Sequence, residues 1–239
     1  MIRSTTATII FLIATLVLSI VSIPVALVDR SGRGYLWMAR VWSKIFLFLY
    51  GIKLQVQSSA SLSKHKPYVF VANHSSYSDI PILFAAIPQD IRLVLRQSLT
   101  LIPIWGWALL VSPMIIINRS SGAKSKQSLA RAAEIISKGA SVLLFPEGTR
   151  TPDGQLQEFH RGAFNLARES RARVVPVAIL GAYEILPRSA TLPRSNRNVA
   201  VHIGEALEFD SRITPDRERE IEMMNRAETI IRGMISENL

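Results

Sequence analysis

The chain opens with a long run of apolar positions. Residues 7–28, ATIIFLIATLVLSIVSIPVALV, hold no charged side chain in 22 positions. A helix of roughly 20 apolar residues is long enough to cross the hydrocarbon core of a bilayer. No small-x-small cleavage site typical of a signal peptide follows the run. The pattern therefore predicts a retained membrane helix with a kink at Pro24, whose nitrogen carries no proton for the helix ladder.

A second apolar segment, YLWMARVWSKIFLFLYGIKL, follows after a short break that contains two glycines. It mixes aromatic rings with basic side chains such as Arg40 and Lys44, and this mixture suits the headgroup level of a membrane. Basic residues are more numerous after the first segment than before it, which favours a cytoplasmic location for the remainder of the chain. We predict that residues 1–52 form a membrane-embedded helix pair, either spanning the bilayer or lying in one leaflet, and that residues 53–239 form a separate domain.

Short apolar runs then alternate with stretches of helical periodicity. The runs predict seven strands, and the periodicity predicts helices at 80–86, 124–138 and 163–170 and another after Pro215. The predicted strands are LQVQS, YVFVA, RLVL, MIII, SVLLF, VVPVAI and VAVHI. Nearly continuous apolar strands between helices are typical of an α/β fold in which a layered, mostly parallel or mixed sheet is flanked by helices.

The amino-acid composition excludes several kinds of site and indicates the charge of a binding partner. The chain has no cysteine, which excludes disulfides, thiolate metal sites and cysteine nucleophiles. Its four histidines show no metal-ligand spacing. The net charge of +10 indicates an anionic partner, and seven arginines lie between residues 160 and 200. Together with the apolar amino-terminal segment, this charge favours an anionic membrane surface or an acidic carrier protein over nucleic acid.

The motif NHSSYSD, residues 73–79, follows a predicted strand at the end where open α/β sheets bind ligands. Asp79 lies close enough along the chain to His74 to orient its ring, which leaves the other ring nitrogen free as a general base. A polar turn with a capping aspartate is the alternative. No G-x-S-x-G motif is present, so a lipid hydrolase would need Ser75, Ser76 or Ser78 as its nucleophile, although serines here more often cap a helix.

A second polar loop, FPEGTR at residues 145–150, also follows a predicted strand. Gly148 would let the backbone approach a ligand closely, and Arg150 offers a planar fork that matches phosphate. A plain polar turn is again the alternative. The sequence contains no G-x-x-x-x-G-K-[ST] motif, so nucleotide binding through a P-loop is not supported.

Four stretches in this order resemble the glycerolipid acyltransferases. NHSSYSD resembles the N-H-x-x-x-x-D box of that family, and FPEGTR is similar to its second signature. IPIWGW…MIIINR resembles the block between the two, and VVPVAI resembles the block after them. The similarity is greatest to the bacterial 1-acyl-sn-glycerol-3-phosphate (lysophosphatidic acid) acyltransferases, and it implies the glycerolipid acyltransferase fold for the domain.

The resemblance also implies roles. His74 would deprotonate the free hydroxyl of the acceptor, Asp79 would orient it, and the alkoxide would attack the thioester of acyl carrier protein or coenzyme A directly, with no further cofactor and no metal. The remaining implied positions contact the acceptor phosphate or the developing oxyanion. They are Glu147, Gly148, Thr149, Arg150, Arg96 and Arg119.

One departure from the family concerns the acceptor. Many relatives carry K-x-E-L where this chain reads RQSL from Arg96, so a lysophospholipid, glycerol 3-phosphate or a lyso-aminolipid stays open as the acceptor. A non-enzymatic lipid-binding protein is the remaining alternative. The resemblance implies a location at the bacterial inner membrane, with the catalytic domain facing the cytoplasm.

Overall fold

The computed structural model describes residues 2–59, 61–63, 66–117 and 122–237. It confirms the α/β fold, and each of the seven predicted strands is present. The helices are α1 (Ile2–Val28), α2 (Arg33–Tyr50), α3 (Asp79–Ala86), α4 (Trp105–Val111), α5 (Gly122–Ser137), α6 (Gly162–Glu169), α7 (Ala182–Ile185) and α8 (Asp216–Ser236), with a 3₁₀ turn at Gln97–Leu101. The strands are β1 (Lys53–Ser58), β2 (Tyr68–Ala72), β3 (Ile91–Arg96), β4 (Ile115–Ile117), β5 (Ser141–Leu144), β6 (Arg173–Leu180) and β7 (Asn198–Ile203).

The strands form one sheet in the order β1-β7-β6-β2-β5-β3-β4. Neighbouring strands run parallel except β6 and β7, so the sheet is mixed, as predicted. The carboxyl ends of β2, β3 and β5 therefore meet at one edge of the sheet. Both polar motifs follow these strands, NHSSYSD after β2 and FPEGTR after β5.

Alternate residues of the central strand β2 face two different cores, as the period of an extended strand requires. Tyr68 and Phe70 pack with buried residues of α2, α3 and α4 on one face of the sheet. Val69 and Val71 pack with buried residues of α5, α6 and α8 on the other. The sheet is thus covered by helices on both faces.

Within the described ranges, one helix, Ser4–Val28, is long and apolar enough to cross a membrane. Its outward side chains, including Leu12, Ile13 and Val17, are more than half exposed. Its inward face packs on α2, where the Phe11 ring lies 5.1 Å from that of Phe46 and 5.2 Å from that of Trp42. Such an apolar helix surface suits lipid rather than water.

Helix α2 does not pass the same test of length and composition. Its buried side chains, among them Phe46 and Tyr50, belong to the same core as Ile82 and Leu83 of α3. Arg40 donates to the Asp90 carboxylate at 2.8 Å, and its place at headgroup level stays a prediction. The core therefore continues across residue 52, and the division of the chain at that residue stays a prediction.

Candidate active site

His74 and Asp79 form a hydrogen-bonded pair at the turn between β2 and α3. The Nδ1 atom of His74 lies 2.8 Å from Oδ2 of Asp79, which is fully buried. The same oxygen accepts the backbone N–H groups of Ser75 and Ser76, each at 2.8 Å. Because a carboxylate accepts, Nδ1 carries the proton, and Nε2 is left with a free lone pair. This is the geometry of a general base with its orienting carboxylate.

The FPEGTR loop holds the histidine from the other side. The ring of Phe145 stacks on the ring of His74, with 4.0 Å between centroids and 15° between planes. The carbonyl of His74 accepts the N–H of Thr151 at 2.9 Å. The two motifs, which begin at residues 73 and 145, therefore form one site.

Glu147 uses both of its carboxylate oxygens, one to join the two loops and the other within its own loop. Oε1 accepts the N–H of His74 at 2.6 Å, and Oε2 accepts the backbone and side-chain N–H groups of Gln157 at 3.1 and 3.2 Å. Burial raises the pKa of Glu147 above its ordinary value, although these hydrogen bonds oppose the rise. The role of Gln157 was missed because no pattern in the sequence links it to the FPEGTR loop.

Gly148 takes a left-handed backbone conformation with φ of 73°, which glycine adopts without steric penalty. Its carbonyl accepts Nη2 of Arg96, at the end of β3, at 2.8 Å. Arg96 therefore lies at the same edge as the FPEGTR loop, and the exposed Thr149 follows directly. Arg119 lies outside the described residues.

The guanidinium of Arg150 has a nitrogen atom that donates no hydrogen bond. Its guanidinium carbon lies 3.4 Å from the centre of the Tyr77 ring, and its Nη1 atom is buried without a hydrogen-bond partner. Tyr77 belongs to the NHSSYSD turn and is 60% exposed. A buried guanidinium nitrogen without an acceptor is costly unless a ligand supplies one. This arrangement suits an anion such as phosphate.

Two of the serines beside His74 brace the turn. The hydroxyl of Ser76 donates to the carbonyl of Leu186 at 2.9 Å, and that of Ser78 donates to the carbonyl of Ala182 at 3.3 Å. Both side chains are almost fully buried. Their hydroxyl protons are engaged in fixing the turn on α7, which disfavours either serine as a nucleophile.

An apolar cavity of about 120 Å³ lies between the amino-terminal helices and the sheet. Ile80, which follows Asp79, and Leu95, which precedes Arg96, both line it. Residues directly next to Asp79 and Arg96 in the sequence therefore form part of the wall of this apolar cavity. Its lining of aliphatic and aromatic side chains suits an alkyl chain.

Comparison with known proteins identifies relatives of the chain. The family model described as "Acyltransferase" matches residues 53–180. The chain is 34% identical to the chloroplastic 1-acyl-sn-glycerol-3-phosphate acyltransferase BAT2 of Brassica napus, over 73% of this chain and 51% of the relative. It is also 34% identical to the 1-acyl-sn-glycerol-3-phosphate acyltransferase of Pseudomonas aeruginosa, over 61% of this chain and 54% of the relative. The chain thus spans about half the length of the curated relatives it matches.

The fold is also shared with a solved structure. The crystal structure of the 1-acyl-sn-glycerophosphate (LPA) acyltransferase PlsC from Thermotoga maritima superposes with a TM-score of 0.80 at 21% identity. The superposition covers 99% of this chain and 97% of the other. At this identity the likeness establishes the fold, including the place of the two amino-terminal helices in it.

Proposed function

The chain belongs to the acyltransferase family, and we propose that it transfers a fatty acyl group from a thioester to the free sn-2 hydroxyl of lysophosphatidic acid, giving phosphatidic acid. The names of its relatives support the substrate class. The observation that carries the proposal is the His74–Asp79 pair, joined through the FPEGTR loop to the unpartnered Nη1 of Arg150.

The proposed reaction needs no covalent intermediate on the enzyme. Nε2 of His74 takes the proton of the acceptor hydroxyl as its oxygen attacks the thioester carbonyl. The tetrahedral intermediate then loses the thiolate, which receives that proton from the imidazolium. Asp79 stabilises the imidazolium through Nδ1. A positioned base contributes on the order of 10²–10⁴-fold, and holding both substrates in place adds to this.

Substrate binding follows from charge and polarity. Arg150 would hold the acceptor phosphate through its unused donor, with Arg96 and Arg119 as further cations. Glu147 and Gly148 would shape the loop that faces the acceptor and the developing oxyanion, and Thr149 lies beside them. The apolar cavity would take an acyl chain. Acyl carrier protein and coenzyme A are both suitable donors, and neither route needs another cofactor.

The acceptor is a lipid, so the site must work at a membrane. The exposed apolar face of α1 supports membrane attachment. We place the protein at the bacterial inner membrane with the catalytic domain in the cytoplasm, where acyl thioesters are made. An anionic membrane surface would suit the basic charge of the chain.

The test is a transfer assay on purified protein in detergent, with labelled palmitoyl-coenzyme A and palmitoyl-acyl carrier protein as donors. The acceptors are lysophosphatidic acid, glycerol 3-phosphate and lysophosphatidylcholine. We expect transfer to lysophosphatidic acid, abolished by His74→Ala and reduced on the order of 10²–10⁴-fold in kcat by Asp79→Asn. His202→Ala, on β7 and two strands from β2, is the matched control and should stay active.

Other outcomes separate the alternatives. Transfer to a different acceptor alone would keep His74 as the base but replace the substrate. Free fatty acid without an acylated product would indicate a hydrolase instead. Full activity of His74→Ala would overturn the proposed mechanism.

A further inference from the structure

A second uncharged stretch lies in the middle of the chain. Residues 97–117, QSLTLIPIWGWALLVSPMIII, hold no charged side chain in 21 positions. Unlike α1, this stretch does not form one helix. It folds into the 3₁₀ turn Gln97–Leu101 and helix α4, Trp105–Val111, before it enters β4. We call residues 97–111 the apolar hairpin.

The turn of the apolar hairpin is tight and strained. Ile104 has φ of 64° and ψ of −61°, the strained γ-turn conformation that a β-branched residue rarely adopts. A Cβ atom on Gly106 would lie 2.4 Å from the carbonyl oxygen of Thr100, so only glycine lets α4 pack this closely on the 3₁₀ turn. Strain of this kind persists where the surrounding structure imposes it, and it is concentrated at functional segments.

The two sides of the hairpin have different surroundings. Leu99, Trp105 and Leu109 line the apolar cavity. On the other side, large apolar side chains have no protein cover. They are Leu101, Ile102, Trp107 and Leu110, with exposed fractions of 81%, 45%, 57% and 60%. Contiguous exposed apolar surface of this kind marks a protein or membrane interaction site.

The position of the hairpin favours a membrane over a protein partner. Helix α4 packs against α1, whose outward side chains, such as Leu16, are also exposed. The apolar surface of the hairpin therefore continues that of the helix able to cross a membrane. At the start of the hairpin lies the exposed Arg96, which contacts the FPEGTR loop.

We propose that the apolar hairpin is a second membrane-contact element, which inserts its outward side chains into the acyl-chain region of the leaflet beside α1. Insertion removes this apolar surface from water, which is favourable. With the hairpin inserted, Arg96 lies at the depth of the lipid headgroups, where the phosphate of a lipid acceptor is found. The inference rests on the membrane attachment assumed in the proposed function.

Spin labels test the insertion directly, because a chain without cysteine accepts one label at a chosen site. The variants Leu101→Cys and Leu110→Cys each carry one nitroxide label. The full labelled chain is reconstituted in vesicles of equal parts phosphatidylcholine and phosphatidylglycerol. Leu16→Cys on α1 reports the membrane, and the exposed Val56→Cys on the edge strand β1 reports water. The measurement is the collision rate with apolar oxygen relative to that with a water-soluble nickel complex.

We expect the oxygen-to-nickel ratio at 101 and 110 to approach that at 16 and to exceed that at 56 several-fold. Ratios at 101 and 110 equal to that at 56, with a high ratio at 16, would overturn the inference alone. A low ratio at 16 as well would remove the membrane attachment on which it rests. Labels at 101 and 110 that are shielded from both reagents and broadened by spin–spin coupling would show a second copy on this surface, and would also overturn it.

An activity assay adds an independent readout. Leu101→Gln, Trp107→Gln and Leu110→Gln are combined in one variant, and Val56→Gln is the control. We expect the triple variant to lose several-fold in rate on an acceptor embedded in vesicles, but to keep its rate on a short-chain, water-soluble acceptor. Equal losses on the two acceptors would show a structural role instead.

Discussion

The guanidinium of Arg150 lies against an aromatic ring. The Tyr77 ring lies against its guanidinium with 3.4 Å to the ring centre, while Nη1 has no hydrogen-bond partner. The face of an aromatic ring attracts a cation by about 0.5–2 kcal/mol, which corresponds to roughly 2- to 30-fold in binding. Tyr77 thus holds the cation without using the donor that the phosphate would need.

Replacement of Tyr77 should therefore change binding more than turnover. We expect Tyr77→Leu to raise the KM of the phosphate-bearing acceptor roughly 2- to 30-fold with little change in kcat. Tyr77→Phe keeps the ring and is the matched control, which should match the wild type. In an Arg150→Met background the leucine change should have no further effect. If it does, Tyr77 acts through another group.

Glu147 makes stability depend on pH in a defined direction. Its folded-state pKa lies above the ordinary value of 4.5 because burial disfavours the charged form. Folding therefore favours the protonated acid. The stability from this group is full below its unfolded pKa, and it is lost as the pH rises through the raised folded pKa.

The variant Glu147→Gln removes this titration. Its amide also places a donor against protein N–H groups, which lowers stability by an amount that does not vary with pH. We expect the wild type to lose thermal stability relative to Glu147→Gln as the pH rises from below 4.5 through the folded pKa, and the difference to be constant above it. Thermal midpoints across this range measure the trend, with the exposed Glu158→Gln as control. A difference that does not vary with pH would contradict the argument.

At the scale of single residues, the sequence predicts contacts between side chains that are only a few positions apart. His74 and Asp79 are five residues apart, so a single turn brings them together. The contacts of Glu147 with Gln157, and of Arg150 with Tyr77, could not be predicted. The contact between Arg150 and Tyr77 depends on how two loops that follow different strands pack together. The contact between Glu147 and Gln157 forms within the loop after β5, whose path no periodic pattern in the sequence determines.

Among the elements, helix α2 has a buried face that its composition did not predict. Its aromatic and basic residues predict a helix at the membrane surface, and the structure adds that one face packs into the core of the domain. Arg40 contributes to this attachment. Its guanidinium donates to the carbonyls of Pro88 and Gln89 and to the Asp90 carboxylate, in the turn that follows α3. By contrast, the central strands β2, β5 and β6 were predicted because each is a nearly continuous apolar run, as a sheet covered on both faces requires. The edge strand β1 alternates polar and apolar residues and is largely exposed.

The attachment of α2 through Arg40 can be measured. Arg40→Met keeps most of the aliphatic stem and removes three hydrogen bonds, so we expect a loss of about 1.5–3 kcal/mol in the free energy of unfolding. Lys44→Met, one turn later on the same helix at an exposed position, should change it by less than about 0.5 kcal/mol. Denaturant titration of both variants in the same detergent is the measurement. Equal effects would show that α2 is held by its apolar face alone.

Across the whole molecule, apolar and basic surfaces lie side by side. The loop at residues 187–197 contacts both amino-terminal helices, since Ser195 lies 3.3 Å from Ser4 and Asn196 donates to the carbonyl of Tyr50 at 2.8 Å. This loop carries three exposed arginines, at 188, 194 and 197. The contacts could not be predicted from the sequence, although the concentration of arginine there could.

These three arginines distinguish an anionic membrane from an acidic carrier protein. Near an anionic surface each basic residue contributes about 1 kcal/mol, so the variant with glutamine at all three positions should bind mixed micelles containing phosphatidylglycerol up to ~10²-fold more weakly. We expect its KM for micellar acceptor to rise by up to that factor. Changing Arg212, Arg226 and Arg232, which pair with carboxylates elsewhere, removes the same charge and is the matched control.

Salt concentration and the choice of acyl donor distinguish the two partners further. At ~1 M salt the Debye length falls to about 3 Å, so the defect on anionic micelles should disappear. It should also be absent on micelles of neutral lipid, with either donor. If the defect appears with acyl carrier protein but not with coenzyme A as the donor, whatever the charge of the lipid, the loop at residues 187–197 would instead bind the carrier protein. Membrane contact would then be made by apolar surface, such as that of α1 and the apolar hairpin, without a contribution from these arginines.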